Sequence, residues 1–205
     1  MVAVLPDPGG FEITSNIVII GAGACGLVAG MAAREAAFDG ATILLLERDK
    51  SPSGSTALSS GFIPAAGTKL QNEKGIEDSP ERLEADIMAK AKGSAHFPLV
   101  RAVTAEIREA IDWLSSVHGL PFILIDGFLY PGHATYRMHA MPQKTGAALQ
   151  AALLDAAEQC DLPIAGGHRA EILYRDGQGR ITGVGVRTDT DELQMIGCEI
   201  GRAHV

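Results

Sequence analysis

The sequence has few cysteines, and those it has lie far apart. Cys25, Cys160 and Cys198 are odd in number and form no Cys-x-x-Cys pair. Their spacing argues against a disulfide framework and against a zinc-ligand pattern, so we expect no metal site. Cysteines outside a disulfide framework are typical of a reducing compartment, and we therefore expect a cytoplasmic protein.

The sequence also lacks an excess of positive charge. Its 17 lysines and arginines stand against 25 acidic residues, which gives a net charge of −8. Nucleic acids and anionic membranes select the opposite balance, so no nucleic-acid partner is expected. No apolar run approaches the ~18 residues of a membrane span, and the first eleven residues lack the pattern of a signal peptide. The composition, 46% hydrophobic and 20% charged, is that of a globular protein, and we expect a small-molecule partner.

The N-terminal part predicts a strand–helix–strand unit. Residues 16–20 form a β-branched run without alternation, which is typical of a strand buried on both faces of a parallel sheet. Residues 24–38 are small and alanine-rich, which favours a helix. A second apolar run, residues 41–46, predicts the next strand, so a right-handed parallel crossover is expected.

A glycine-rich segment connects the first strand to the helix. Gly21, Gly23 and Gly26 give the spacing GxGxxG, which permits a tight turn, close approach of a pyrophosphate and close helix packing. The amides at the helix start, including that of Ala24, would face the phosphates. Glu47 ends the second strand, where a carboxylate binds ribose hydroxyls. The alternative is that the glycines form only a tight turn and Glu47 is a solvated strand end.

The remainder of the chain predicts further helices and a β-meander. Residues 51–68 are rich in serine, glycine and alanine, without periodicity, and indicate a buried loop that faces a ligand. The pattern predicts helices over residues 79–92, 97–117 and 145–160, a short strand over 122–125, and antiparallel strands over 169–174, 181–187 and 192–198.

Residues 47–68 resemble the fumarate reductase/succinate dehydrogenase flavoproteins, a group that includes ketosteroid dehydrogenases and aspartate oxidases. The family pattern is E-K, a spacer, G-G-[NS]-[ST], a run of small residues, and G-G-x-[NP]-A-A-G-T. The corresponding residues are Glu47-Arg48, then Ser53-Gly54-Ser55-Thr56, then Gly61-Phe62-Ile63-Pro64-Ala65-Ala66-Gly67-Thr68. The resemblance extends over about residues 16–198 and departs from the pattern at Ser53 and Phe62, where glycine is usual.

The resemblance implies that the cofactor is FAD. Glu47 would bind the adenosine ribose, Arg48 would lie beside the adenine, and the main chain of Ala170 would meet the adenine. The residues that would contact the phosphates, the ribityl chain or the flavin are Gly21, Gly23, Ala24, Gly26, Gly54, Ser55, Thr56, Ser59, Ser60 and Gly61. The last three are small, which suits a planar ring that approaches the main chain.

An irregular segment at residues 132–142 carries the candidates for chemistry. Arg137 and His139 would bind an anionic substrate or the N1/O2 edge of the flavin, where positive charge stabilises reduced flavin. The alternative is a surface loop held by its own side chains.

We therefore predict an α/β fold: a Rossmann-like FAD/NAD(P)-binding domain with inserted helices and a β-meander, incomplete at its C-terminus. Residues 1–15 would be an extension and residues 16–198 the FAD-binding domain, without the capping domain that the resemblance implies. Residues 199–205 match the translation of a sequencing adapter (GAG ATC GGA AGA GCA CAC GTC), which predicts a non-native tail.

For the complete protein, the resemblance implies flavin-mediated hydride transfer that reduces or desaturates a C–C bond beside a carbonyl or carboxylate. The substrate would be a carboxylate or a ketone, the redox partner is not identified, and the fragment alone would be inactive. The alternatives are an NAD-binding dehydrogenase domain, a non-catalytic dinucleotide-binding module, or a truncated chain that does not fold stably.

Overall fold

A computed structural model describes residues 2–203, with side chains described through residue 199. The chain divides into two compact units, residues 1–57 with 150–205 and residues 58–149, here called the sheet unit and the helical unit. The elements in chain order are β1 (Ala3–Pro6), β2 (Ile13–Ile20), α1 (Ala24–Ala36), β3 (Ile43–Leu46), α2 (Ser55–Leu58), β4 (Ile63–Pro64), α3 (Lys69–Glu73), α4 (Pro80–Ala91), α5 (Phe97–Ser116), β5 (Ile123–Ile125), β6 (Met138–Ala140), α6 (Gly146–Gln159), β7 (Ile164–Ala165), β8 (Arg169–Arg175), β9 (Ile181–Arg187) and β10 (Leu193–Ala203).

The sheet unit is built on seven strands in the order β1-β8-β9-β10-β2-β3-β7. The pairs β1/β8, β10/β2, β2/β3 and β3/β7 are parallel, whereas the meander pairs β8/β9 and β9/β10 are antiparallel. This arrangement confirms the predicted α/β fold with its parallel crossover and β-meander.

The core of the sheet unit explains the uninterrupted apolar runs in the sequence. Val18 of β2 and Leu46 of β3 are buried together with Val184, Val186 and Ile196 of the meander. Both faces of these strands are covered, so alternation with polar residues would bury unpaired polar groups. Each such side chain contributes about 1.5–3 kcal/mol through burial.

Helix α1 packs closely on its surroundings because small residues line one face. A Cβ atom at Gly30 would lie 2.5 Å from a methyl carbon of Leu162, while Leu27 and Met31 are fully buried. The helix ends at Ala36, two residues before the predicted end, because Ala37 turns to extended backbone.

The N-terminal segment, expected as an extension, is paired with the sheet. β1 runs parallel to β8, and β2 begins at Ile13. Between them, the ring of Phe11 lies over Gly183 and Gly197, where a Cβ atom would approach it to 2.4 Å and 2.7 Å. β1 has four residues, all exposed, and β2 begins with the exposed Ile13 and Thr14, so neither stretch gives a sequence signal.

The helical unit contains α4 and α5, which pack against each other, and a three-stranded sheet in the order β4-β6-β5. α4 begins as predicted, because the Ser79 side chain accepts a hydrogen bond from the Arg82 amide and Pro80 occupies the first turn. The segment 51–68, expected to lack secondary structure, contains α2 and β4, both too short to produce a visible period.

The predicted tail falls partly outside the described residues. Residues 199–203 continue β10, whose backbone pairs with β2 as far as Ala203, whereas His204 and Val205 lie outside the described part of the chain. None of the helices within residues 2–203 combines the length and hydrophobicity that a membrane span requires.

We expect Phe11→Ala to destabilise the chain by about 2–3 kcal/mol, somewhat less than the loss of a fully buried phenylalanine, because the ring is partly exposed. Urea denaturation measures this change. Phe38→Ala is the matched control: Phe38 is 67% exposed, and its removal should change the free energy of unfolding by no more than about 0.5 kcal/mol. Equal effects of the two variants would show that the N-terminal segment does not stabilise the sheet.

Candidate functional site

The glycine-rich segment forms a turn in which two stretches of backbone touch. Gly21 has φ +97°, and its amide donates to the Leu46 carbonyl at 2.7 Å. A Cβ atom at Gly26 would lie 1.8 Å from the Gly21 carbonyl oxygen, so no side chain fits there. This contact lets α1 start directly against the end of β2.

The start of α1 presents backbone amides without a side-chain cap of its own. The N-cap is Gly23, and the first turn carries no acidic residue. The Ala24 amide donates to the Thr56 hydroxyl at 3.0 Å, and a Cβ atom at Gly23 would lie 3.3 Å from that hydroxyl. The backbone amides and the positive end of the helix dipole suit an anionic phosphate group. Because Gly23 has no side chain, such a group can approach them closely.

Glu47 connects the glycine turn to the strand beside it. Its Oε2 atom accepts from the Ala22 amide at 2.7 Å, and its Oε1 atom accepts from the Asp49 amide at 3.0 Å. The backbone carbonyl of Glu47 accepts from the His168 amide at 2.8 Å. Each carboxylate oxygen has a second acceptor position, so the partly exposed carboxylate can still accept from a ribose diol.

Charged residues surround an open cavity near the end of β3. The cavity measures about 390 Å³, and Arg48, Asp49, Arg169, Arg187 and Asp189 belong to its lining. The Arg48 guanidinium pairs with Asp49 at 3.1 Å while remaining mostly exposed. The hydrogen bond and charge of Arg48 hold the Asp49 pKa below its ordinary value.

The other predicted cofactor residues divide between the two units. In the sheet unit, Gly54 precedes α2, Ser55 and Thr56 are the first residues of α2, and Ala170 lies in β8. Ser59, Ser60 and Gly61 belong to the helical unit.

Gly61 is fixed against the main chain of the helical unit. It has φ +68°, and a Cβ atom there would lie 2.6 Å from the Thr145 carbonyl oxygen. The Gly61 amide donates to the Ser59 hydroxyl at 3.0 Å, and the Gly146 amide donates to the Ser59 carbonyl at 2.8 Å. The backbone at this segment therefore has a fixed course.

Arg137, predicted as a substrate or flavin ligand, is fully buried and engaged with two carboxylates. Its Nε and Nη2 atoms donate to Asp78, both at 2.9 Å, and Nη1 donates to Asp86 at 2.5 Å. Burial disfavours the charged form of Asp86, but hydrogen bonds from the Ala134 amide and Arg137 outweigh it and lower the Asp86 pKa. Gln71 also donates to Asp78, at 3.0 Å.

His139 is likewise buried and engaged within the helical unit. Its Nε2 atom lies 2.9 Å from the Thr68 hydroxyl, and its Nδ1 atom lies 3.0 Å from the Arg137 carbonyl. Burial lowers the His139 pKa, which favours the neutral ring. Arg137 and His139 are therefore buried rather than part of a surface loop, and their side-chain partners come from outside residues 132–142. The catalytic roles of both residues stay predictions.

Sequence reasoning missed the residues that support these sites. Gln150 donates to the Ala22 carbonyl at 2.7 Å and is buried in α6. A polar residue within an otherwise alanine- and leucine-rich helix is a signal that could have drawn attention to it. Asp78 precedes α4 without a comparable signal.

Comparison with known proteins identifies the family of this chain. The model of the protein family described as "FAD binding domain" matches residues 16–197. The chain belongs to this family. The match decides between the two dinucleotides that the glycine turn alone leaves open, and the cofactor is FAD.

The relatives are flavoproteins of the fumarate reductase/succinate dehydrogenase type. The chain is 26% identical over 176 residues to fumarate reductase (cytochrome) of Shewanella frigidimarina, covering 85% of this chain and 30% of the relative. It is 27% identical over 183 residues to urocanate reductase of Eggerthella lenta, covering 89% and 30%. The chain thus spans about a third of the length of the curated relatives it matches.

Solved structures show the same fold. An open conformation of a flavocytochrome c3 fumarate reductase matches with a TM-score of 0.85 at 24% identity, covering 95% of this chain and 34% of that one. A 3-ketosteroid-Δ4-(5α)-dehydrogenase from Rhodococcus jostii RHA1 matches with a TM-score of 0.81 at 23% identity, covering 98% and 48%.

We expect Gly26→Ala to abolish flavin retention and to destabilise the chain by about 3 kcal/mol, because the new methyl group would overlap the Gly21 carbonyl. Urea denaturation and the flavin absorbance of the purified protein measure the two effects. Gly10→Ala is the control, since a Cβ atom there meets nothing within 4 Å. Normal stability and flavin content in Gly26→Ala would contradict the close contact.

We expect Asp86→Asn to cost about 2 kcal/mol at neutral pH, because Arg137 keeps only one carboxylate partner. A lowered folded-state pKa stabilises the protein above the unfolded-state value of about 3.9, and this contribution is lost as the pH falls through the folded-state pKa. The difference between parent and variant should therefore shrink in acid. Urea denaturation at several pH values tests this, with exposed Asp39→Asn as the control; a difference independent of pH would contradict it.

Proposed function

We propose that the chain is the FAD-binding part of an oxidoreductase that reduces or desaturates a C–C bond beside a carbonyl or carboxylate. The observation that carries the proposal is the contact between Gly26 and the Gly21 carbonyl, with Glu47 hydrogen-bonded to the same turn. A glycine turn with no room for a side chain at Gly26, followed directly by the first turn of a helix, suits a pyrophosphate. The carboxylate of Glu47 beside it suits a ribose.

The adenosine diphosphate half of FAD is assigned to the sheet unit. Gly21, Gly23, Ala24 and Gly26 would hold the pyrophosphate through backbone amides, and Glu47 would accept from the ribose. Arg48 and the Ala170 main chain are proposed neighbours of the adenine, and Gly54, Ser55 and Thr56 are proposed contacts of the phosphates or ribityl chain. The hydrogen bond between Thr56 and the Ala24 amide supports this group.

The flavin half is assigned to Ser59, Ser60 and Gly61. Small residues at these positions let a planar ring approach the main chain, and the course of that main chain is fixed by the contact of Gly61 with Thr145. FAD, when bound, supplies a hydride acceptor or donor at N5 of its isoalloxazine ring.

The reaction class comes from the relatives. One relative is a fumarate reductase, a second is a urocanate reductase, and a structural neighbour is a ketosteroid dehydrogenase. Because each chemistry concerns a C–C bond activated by a neighbouring carbonyl or carboxylate, we propose the same class here.

The proton donor is proposed to lie in the remainder of the complete protein. Arg137 and His139 are buried and engaged with protein partners, so neither is proposed as that donor, and their binding of a substrate or of the flavin edge stays a prediction. The wide spacing of the three cysteines supports a reducing, cytoplasmic setting.

The full-length protein that carries this chain should purify with flavin absorbance bands that bleach on addition of dithionite. Glu47→Ala should weaken FAD binding about tenfold, since the ribose loses a charged acceptor worth roughly 1.5 kcal/mol. Titration of the apoprotein with FAD, followed by quenching of flavin fluorescence, measures this. Exposed Glu12→Ala serves as the control. A protein that neither retains nor takes up FAD would refute the assignment.

A further inference from the structure

The helical unit carries an exposed cluster of rings that the FAD assignment does not use. This aromatic cluster consists of Phe62, Phe128, Tyr130 and His133. Tyr130 meets Phe62 and Phe128 edge to face, with centroid distances of 6.4 Å and 5.7 Å, and its ring lies 5.8 Å from that of His133. Phe128 and Tyr130 remain 57% and 36% exposed, and the adjacent Leu129 is 45% exposed.

Contiguous exposed rings are uncommon on a surface that stays in water and mark places where another molecule binds. Edge-to-face contacts hold the rings of Phe62 and Phe128 nearly perpendicular to that of Tyr130, while Phe128 and Tyr130 keep part of their surface open to solvent. The aromatic cluster therefore has the properties of a surface that binds an apolar ligand.

Hydrogen bonds hold the segment that carries the aromatic cluster against α4. The Ala134 amide donates to Asp86 at 2.8 Å, and the same carboxylate binds the buried Arg137. The His133 amide donates to the Tyr130 carbonyl at 3.0 Å, which closes a turn. Gly132, with φ +93°, lies on the alkyl stem of Lys90. Arg137 is thus a positioning residue for the rings.

The charges around the cluster suit an uncharged ligand. Both Asp78 and Asp86 neutralise Arg137, and Lys74 pairs with Asp126 at the start of the ring-bearing segment. Burial and the nearby Arg137 lower the pKa of His133, so its ring is neutral at physiological pH. Lys90, whose alkyl stem contacts Gly132, is one cation beside the cluster, but Arg137 and Lys74 are paired with carboxylates, so a dicarboxylate would meet mainly aromatic faces there.

Phe62 joins the aromatic cluster to the proposed flavin segment. It directly follows Gly61, whose contact with Thr145 fixes the course of the chain, and it occupies a position where the resembling family has glycine. A ring at this position narrows the space beside the segment and adds an apolar face.

We propose that the aromatic cluster is the substrate-facing wall of the flavin site and selects an uncharged cyclic ketone over a small dicarboxylate. The proposal rests on the proposed function, because it assumes that Ser59, Ser60 and Gly61 lie along the flavin. It narrows the substrate from a carboxylate or ketone to a ketone whose ring packs against Phe128 and Tyr130.

The test uses the full-length flavoprotein and two probes, cyclohex-2-en-1-one and fumarate, each titrated while the spectrum of the bound flavin is recorded. In the parent protein, we expect cyclohexenone to perturb the flavin bands at lower concentration than fumarate. Phe128→Ala and Tyr130→Ala should raise the Kd for cyclohexenone about fivefold to tenfold and leave that for fumarate unchanged. Tyr130→Phe keeps the ring and should bind as the parent does.

Phe97→Ala is the matched control, because Phe97 is an exposed phenylalanine of the same unit outside the cluster. Retained flavin in each variant shows that it has folded. Tighter binding of fumarate than of cyclohexenone by the parent, or unchanged cyclohexenone binding in Phe128→Ala and Tyr130→Ala, would overturn the inference. A change in oligomeric state with unchanged cyclohexenone binding would also overturn it, and would assign the cluster to a protein partner. A parent protein without flavin would refute the proposed function and this inference together.

Discussion

The contact between the Gly26 position and the Gly21 carbonyl oxygen is the constraint on which the sheet unit depends. A Cβ atom at Gly26 would lie 1.8 Å from that oxygen, so the space holds a hydrogen atom alone. The contact allows α1 to begin where β2 ends, and so directs the amides of the first turn outward beside Glu47. Loss of this contact would separate three features to which we assign parts of one cofactor: the turn, the helix start and the carboxylate.

Glu47, the proposed ribose ligand, also holds the backbone around it in place. Its two oxygens hold the Ala22 and Asp49 amides, so the carboxylate fixes both the glycine turn and the chain beyond β3. In the proposed role, the carboxylate is already oriented for the ribose before the cofactor arrives, which would reduce the ordering cost of binding.

The helical unit depends on a buried charge in the same way. Arg137 has no exposed surface and pairs with Asp78 and Asp86, and these bonds connect the residue before β6 to the segment before α4 and to the middle of α4. Removal of one partner would leave charge in a low-dielectric interior, which is costly. The exposed rings of the aromatic cluster are held in place by this buried network, so a polar core supports an apolar surface.

The sequence by itself determined the strand–helix–strand unit, the meander, the helices α4 to α6 and the cofactor family, because these follow from local patterns and spacings such as GxGxxG followed by Glu47. The tertiary structure decided the rest. The place of β1 in the sheet and the short strands β4, β6 and β7 depend on partners distant in the chain. Arg137 contacts Asp78 and Asp86, which lie some 50 to 60 residues earlier in the sequence. No local sequence pattern predicts contacts between residues so far apart in the chain. An arginine beside histidines has the same sequence signature whether it faces a ligand or a buried carboxylate, because the difference lies in what the fold brings next to it.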